Sequence, residues 1–203
     1  MPNRKIVQLL QVGLLVVVIT TVAACSSSLA MKVESDVPTP LVDQQPLVVG
    51  VYYDDAFRNH VYSENTEDRP NWSIQTGASQ VAMFDRILPA VFRETREVSG
   101  TSANGVDAIL APELAEMQFS LPRETRLEVY EAWVKYNIRL HDPSGASIAE
   151  WVITGYGKSP SEFMTNTEKA VNAAVNLALR DAGAKLSLGF DQVPEVNEWL
   201  KTR

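Results

Sequence analysis

Few side chains in this 203-residue chain could do covalent or acid–base chemistry, and their spacing points away from catalysis. The two histidines are His60 and His141. His60 stands among Asp54, Asp55 and Glu64, residue types that bind metals or pass protons, but the spacing fits no ligand motif. A hydrated acidic loop accounts for that composition. His141 precedes Asp142-Pro143 and reads as an exposed turn residue. Glu131 and Glu150 fall on neighbouring strands. Paired carboxylates catalyse only at a defined separation with one pKa raised, so surface charge on a wet sheet face is the simpler account. No serine-centred nucleophile elbow and no glycine-rich phosphate loop occurs. Gly155-Tyr156-Gly157 reads instead as a strand end that needs a close backbone approach or an unusual φ. The single cysteine, Cys25, excludes an intrachain disulfide and a cysteine-based metal cluster. No cofactor, no metal and no catalytic residue are expected.

Aromatic residues give a different lead. Tyr52, Tyr53, Phe57 and Tyr62 flank or enter the acidic loop, and Trp133 lies on the polar side of the clearest strand. An exposed aromatic beside charged groups anchors a protein partner or stacks on a sugar. The candidate partner-binding residues are therefore Tyr53, Phe57, Tyr62 and Trp133. The plainer alternative is that a tether, loop or terminal helix covers Trp133.

The elements that must position these residues are mixed. Leu47–Tyr53 is nearly continuously apolar and predicts a central strand buried on both faces. Residues 54–70 read as a long surface loop, and Trp72–Ile74 as a short edge strand. Val81, Phe84, Leu88, Val91 and Phe92 recur at helical spacing, predicting a helix over 78–93 with Pro89 kinking it or ending its regular part. Val98 closes a short strand and 99–105 is a loop. Residues 107–121 read as an irregular, bulged strand. From 127 to 140, Tyr130, Ala132, Val134, Tyr136, Ile138 and Leu140 alternate with polar neighbours, so one sheet face is packed and the other wet. Asp142-Pro143-Ser144-Gly145 makes a turn into a return strand over 147–157. Turn chemistry favours a three-residue loop with a bulge, whereas pairing Tyr136 with Trp151 needs an even loop. Ser159-Pro160 with Glu162 resembles a capping box and predicts a helix start there, its buried face running from Phe163 through Val171, Ala174, Val175, Ala178 and Ala182. A short closing helix, 195–200, would dock through Trp199 and Leu200. These elements define an α+β fold, a mixed and mainly antiparallel sheet with two main helices packed on it, in a single domain.

The N-terminal segment carries an address. Arg4 and Lys5 precede a short apolar stretch, Leu9–Val22, as in a signal peptide. Val22-Ala23-Ala24-Cys25 resembles a bacterial lipobox. That resemblance implies cleavage by signal peptidase II after a 1–24 signal peptide and a diacylglycerol on Cys25. Ser26, where an aspartate would signal inner-membrane retention, favours the inner leaflet of the outer membrane, with the body facing the periplasm. Residues 25–46 read as the lipidated cysteine and a flexible, proline-punctuated tether with a reach on the order of 70 Å at ~3.3 Å per residue. The folded domain is expected over 47–203. Losing the leader removes two positive charges and no acids, so the mature chain carries a net charge of −9. An acidic surface repels phosphate backbones, which argues against a nucleic-acid partner.

The pattern of elements is similar in outline to the small periplasmic domains of outer-membrane lipoproteins, including peptidoglycan-synthase activators and curli or exopolysaccharide export lipoproteins. That likeness transfers no site. The expectation is a membrane-anchored envelope lipoprotein, not an enzyme, that docks another envelope protein or itself in assembly, accessory or export work. The alternatives are a periplasmic hydrolase of glycan or peptide working at Asp54, Asp55, His60 or Glu64, and an oligomeric export component.

Overall fold

The strict alternation between 129 and 141 builds the centre of the molecule. In the computed structural model, which describes residues 29–64, 72–160 and 166–203, eight strands and four helices are seen. The strands are β1 (Leu29–Lys32), β2 (Gln45–Val51), β3 (Val61–Glu64), β4 (Trp72–Gln75), β5 (Phe92–Glu97), β6 (Ala108–Ser120), β7 (Val129–His141) and β8 (Ser147–Pro160). The helices are α1 (Asp55–Arg58), α2 (Gly77–Val91), α3 (Thr167–Gly189) and α4 (Pro194–Leu200). They form an α+β single domain with a five-stranded sheet ordered β5-β2-β6-β7-β8 and a three-stranded sheet ordered β1-β4-β3. The large sheet is mixed: β2 runs parallel to β5 and β6, while the β6–β7 and β7–β8 pairs are antiparallel.

One face of the large sheet carries the core. Tyr130, Ala132, Val134, Tyr136, Ile138 and Leu140 are all buried, as period two requires. Tyr136 lies among Phe57 of α1 and Phe84 of α2, with ring centroids 6.1 and 5.5 Å away. The strand β6 does carry a bulge, between Leu114 and Glu116. The hairpin register is settled by a bulge beside the 142–146 turn: Tyr136 pairs with Ile153, and Trp151 with Ile138. Asp142 holds that turn, accepting from the Ser144 and Ala146 N–H groups, and Gly145 takes φ +94°.

The helix α3 approaches β8 backbone to backbone. A Cβ on Gly155 would overlap the Ala178 carbonyl oxygen, and one on Gly157 the Ala174 carbonyl oxygen. Small residues on both sides make that contact possible: Ala170, Ala174, Ala178 and Ala182 line the buried face of the helix. Close approach is thus the reason for the Gly-Tyr-Gly sequence.

Several segments differ from expectation. Leu29–Lys32, inside the expected tether, is a strand parallel to β4, and Met31, Val33 and Val37 are buried. The following residues form a strap along α3. The Asp36 N–H donates to Asn176 Oδ1 (2.7 Å), and Asn176 Nδ2 donates to the Glu34 carbonyl (2.6 Å). At the far end of the strap Gln44 donates to the Pro89 carbonyl, satisfying a helix end that has no further turn to bond it. The prolines obscured an apolar alternation that was present all along: Leu29, Met31, Val33.

The expected loop 54–70 contains α1 and β3, and β4 is the middle strand of its sheet, not an edge. The expected helix start at Ser159-Pro160 is instead the end of β8. Helix α3 starts at Thr167, where Asn166 Oδ1 accepts from the Lys169 N–H (3.1 Å). Ser159 faces the core opposite Tyr130, so the strand's packing overrides the capping signal. In α4 it is Val196 that is fully buried, with Trp199 and Leu200 half-buried around it. The leader, Cys25, Glu162 and Phe163 lie outside the described residues.

Gly157→Ala should cost ~1–3 kcal/mol, as overpacking does, or prevent folding. Gly100→Ala, with open space around the added methyl, should leave the urea midpoint nearly unchanged.

Candidate functional site

The second face of the large sheet carries no helix among the described residues. Its side chains form rows across β6, β7 and β8, fixed by the register: Gln118, Trp133 and Tyr156; then Glu116, Lys135 and Thr154; then Glu113, Asn137 and Val152; then Ala111, Arg139 and Glu150. Trp133 is 47% exposed and Val152 52%. At one end the face is closed. Ile109 is fully buried there, beside Val98, and the loop after β5 bonds the hairpin turn through the Ala103 N–H and the Pro143 carbonyl (3.1 Å).

Trp133 packs against Tyr156 with ring centroids 4.9 Å apart and planes at 51°. The Tyr156 hydroxyl donates to Glu131 Oε1 (2.8 Å), which holds the pair in place. Partial desolvation first, and then the Glu131 carboxylate, push that hydroxyl above its ordinary pKa, so it stays a donor. Beside the indole is a hollow of about 220 Å³ lined by Glu116, Gln118, Trp133, Val134, Lys135 and Thr154. The charges around it are largely matched in place. Arg139 pairs with Glu113 (2.5 Å) and Glu150 (3.5 Å), and Lys158 stands opposite Glu131. Glu131 and Glu150 are therefore separate members of this face, not a carboxylate pair.

The adjoining sheet edge is blocked at this point. The Tyr156 N–H donates to Asp181 Oδ2 (2.9 Å), and Lys185 Nζ donates to the Thr154 carbonyl (2.8 Å). These two backbone groups would otherwise template another strand. Both caps come from α3, one turn apart, and pair with each other (2.9 Å).

The other candidate residues do not gather here. Tyr53 and Phe57 are core residues, stacked at 5.6 Å, and present no surface to a partner. Burial first, and then its hydrogen bond to Asp85 (2.8 Å), raise the Tyr53 hydroxyl far above its usual range. Tyr62 is half-buried and donates to Glu64 (2.9 Å). Of the four, Trp133 alone stands exposed, 47% accessible with no described strap, loop or terminal helix over it.

Nor do the acidic residues around His60 converge. Asp54 Oδ1 caps α1 by accepting from the Phe57 N–H (2.7 Å), and Asp55 lies in the first turn of that helix. His60 Nδ1 lies 2.6 Å from Thr76 Oγ1, which also accepts from Gln80 Nε2. Among the described residues no group of three or more His, Cys, Asp or Glu is arranged to hold a metal ion. His141 is half-buried, Nδ1 against the Gly145 carbonyl (3.2 Å), so it braces the turn from inside instead of lying exposed on it. The sequence pattern contained no sign of the Asp181–Lys185 edge cap. It joins residues 25 or more positions apart and shows only once α3 lies on β8.

No protein-family model and no curated protein sequence matches the chain. Among solved structures it is similar to a Xanthomonas campestris protein described under the family model DUF330, at 17% identity over 86% of this chain and 98% of that one, with a TM-score of 0.53. A minor lipoprotein of Acinetobacter baumannii aligns over 76% of this chain and 97% of that one, at 14% identity and a TM-score of 0.46. The Xanthomonas likeness is one of fold. It shows that this order of strands and helices is a recurring architecture.

Burial lowers the pKa of His60 below its ordinary 6.5. The unfolded chain therefore takes up a proton that the folded protein refuses, and stability falls as pH drops below about 6.5. Urea midpoints measured at about pH 7.5 and about pH 5.5 should fall further for the wild type than for His60→Gln.

Proposed function

We propose that this protein is a lipid-anchored envelope lipoprotein that works without chemistry of its own, docking an envelope protein on the open face around Trp133. The lipobox resemblance at Cys25 supports the anchor, and Ser26 supports an outer-membrane, periplasm-facing location. One observation carries the docking: Trp133 and Val152 stand about half exposed on a sheet face whose flanking charges are already paired. Such a face suits a partner that brings apolar area and hydrogen bonds, and offers little to a polyanion. Interfaces of this kind concentrate their energy in a central aromatic.

The blocked edge of β8 adds a constraint. A partner strand cannot pair with the sheet at Thr154–Tyr156, which favours a partner lying across the face there. Local roles for Asp54, which caps α1, and for His60, whose Nδ1 lies 2.6 Å from Thr76 Oγ1, favour docking over the hydrolase reading.

Detergent-solubilised envelopes supply the test. A protein retained by the wild type should be lost on Trp133→Ala and retained on Glu195→Ala, with both variants melting like the wild type. Loss of one partner on Trp133→Ala would match a hot-spot truncation of ~2 kcal/mol or more. Equal retention by both variants would contradict the reading, and a dimer that dissociates on Trp133→Ala would make the partner a second copy.

A further inference from the structure

We infer that the bilayer surface is itself a docking partner: the anchored protein stands on the membrane on the turn between β6 and β7, with Leu127 in the headgroup region. This rests on the acylation of Cys25 proposed above. The length of chain between anchor and fold carries it. Strand β1 begins at Leu29, so only residues 26–28 separate the thioether from that strand. Four residue steps reach at most ~14 Å. With the strap bound along α3, the spacer that its prolines suggest is not available.

That leash leaves from one particular end of the molecule. Leu29 pairs with Trp72, whose ring lies 5.9 Å from Phe119 near the end of β6. Phe119 in turn lies 6.0 Å from Tyr130 at the start of β7. The turn between them, residues 121–128, is therefore at the anchored end. The hairpin turn at 142–146 lies a full β7 length away, ~43 Å for a strand of this kind, well beyond the leash.

The 121–128 turn has the surface for this. It is braced from inside: Leu121 is buried, and its N–H donates to Glu124 Oε2 (2.9 Å). Thr125 Oγ1 accepts from the Val129 N–H (2.9 Å), and Glu128 turns the backbone at φ +52°. Leu127 projects from this frame, 67% exposed and, among the described residues, the most exposed large apolar side chain outside the strap and helix α3. Exposed Arg126 adjoins it, with a stem that can lie along the interface while its head reaches a lipid phosphate, and Arg123 pairs with Glu124 (3.7 Å). Glu124 and Glu128 offset those charges, so the turn has no net pull on anionic lipid. It binds because the anchor keeps it at the surface, as the second contact of a two-point attachment. The sheet then rises from the bilayer, and the Trp133 row, four residues along β7, sits ~13 Å above the turn. A partner of the open face would therefore bind close to the bilayer surface.

Tryptophan quenching tests this with the mature acylated chain in phosphatidylethanolamine/phosphatidylglycerol vesicles whose acyl chains are brominated. Relative to wild type, Leu127→Trp should add emission that brominated lipid quenches, and Val152→Trp should add emission that it does not. Quenching of Val152→Trp instead would mean that the body lies on its sheet face, and quenching of neither in protein that floats with the vesicles would mean that it stands clear. Both results overturn the inference and leave acylation intact. A mature mass without the diacylglycerol, together with protein that fails to float, would remove the acylation reading and this inference with it.

Discussion

The contact between Gly155 and Gly157 of β8 and the carbonyls of Ala178 and Ala174 of α3 is the constraint on which the rest of the molecule depends. No side chain separates the two backbones there, so the longest helix is set at one height and one angle on the sheet. Every other placement uses α3 as its reference. Asn176 receives the strap, Asp181 and Lys185 reach the edge of β8, and Phe190 beyond its end packs edge-on to Phe92 at 4.8 Å. Dispersion gained by such close packing is small per atom but repeated along several turns.

This arrangement makes the large sheet two-sided. One face is covered by α2, α3, the small sheet and the strap. The other keeps its polar rows and one aromatic pair in water. The same α3 caps two backbone groups of the sheet edge next to that pair, the Tyr156 N–H and the Thr154 carbonyl, which would otherwise be open to another strand. The strap has a double consequence. It adds Met31, Val33 and Val37 to the core, and it brings strand β1 to within four residues of Cys25.

Legibility in the sequence followed the range of the signal. The β7 alternation, the α2 stripe with Pro89, the bulged β6 and the alanine face of α3 were all readable because each is a local period. The Gly-Tyr-Gly segment was readable as a strand end with either a close approach or an unusual φ; it is a close approach inside β8, to a partner the local pattern did not name. What local pattern could not show was competition. Ser159-Pro160 has good capping chemistry, yet the core opposite Tyr130 claims Ser159 for the strand. Leu29, Met31 and Val33 alternate, but the prolines behind them read as spacer. Tyr53 and Phe57 sit beside an acidic run, yet they point into a cluster with Phe84 and Tyr136 that only tertiary packing assembles. For the site, Trp133 was visible by its place on the polar phase of β7. Its exposure depended on where the strap and helices went, which is a property of the whole fold.

Native-state hydrogen exchange along the strap tests this account most directly. If residues 30–37 belong to the fold, the amide of Asp36, bound to Asn176, and that of Val33, bound to the Gln75 carbonyl at 3.1 Å, exchange only through the same large opening as the centre of α3. Free exchange at those two amides, with α3 still protected, would make the segment a loose tether and contradict both the strap and the short leash.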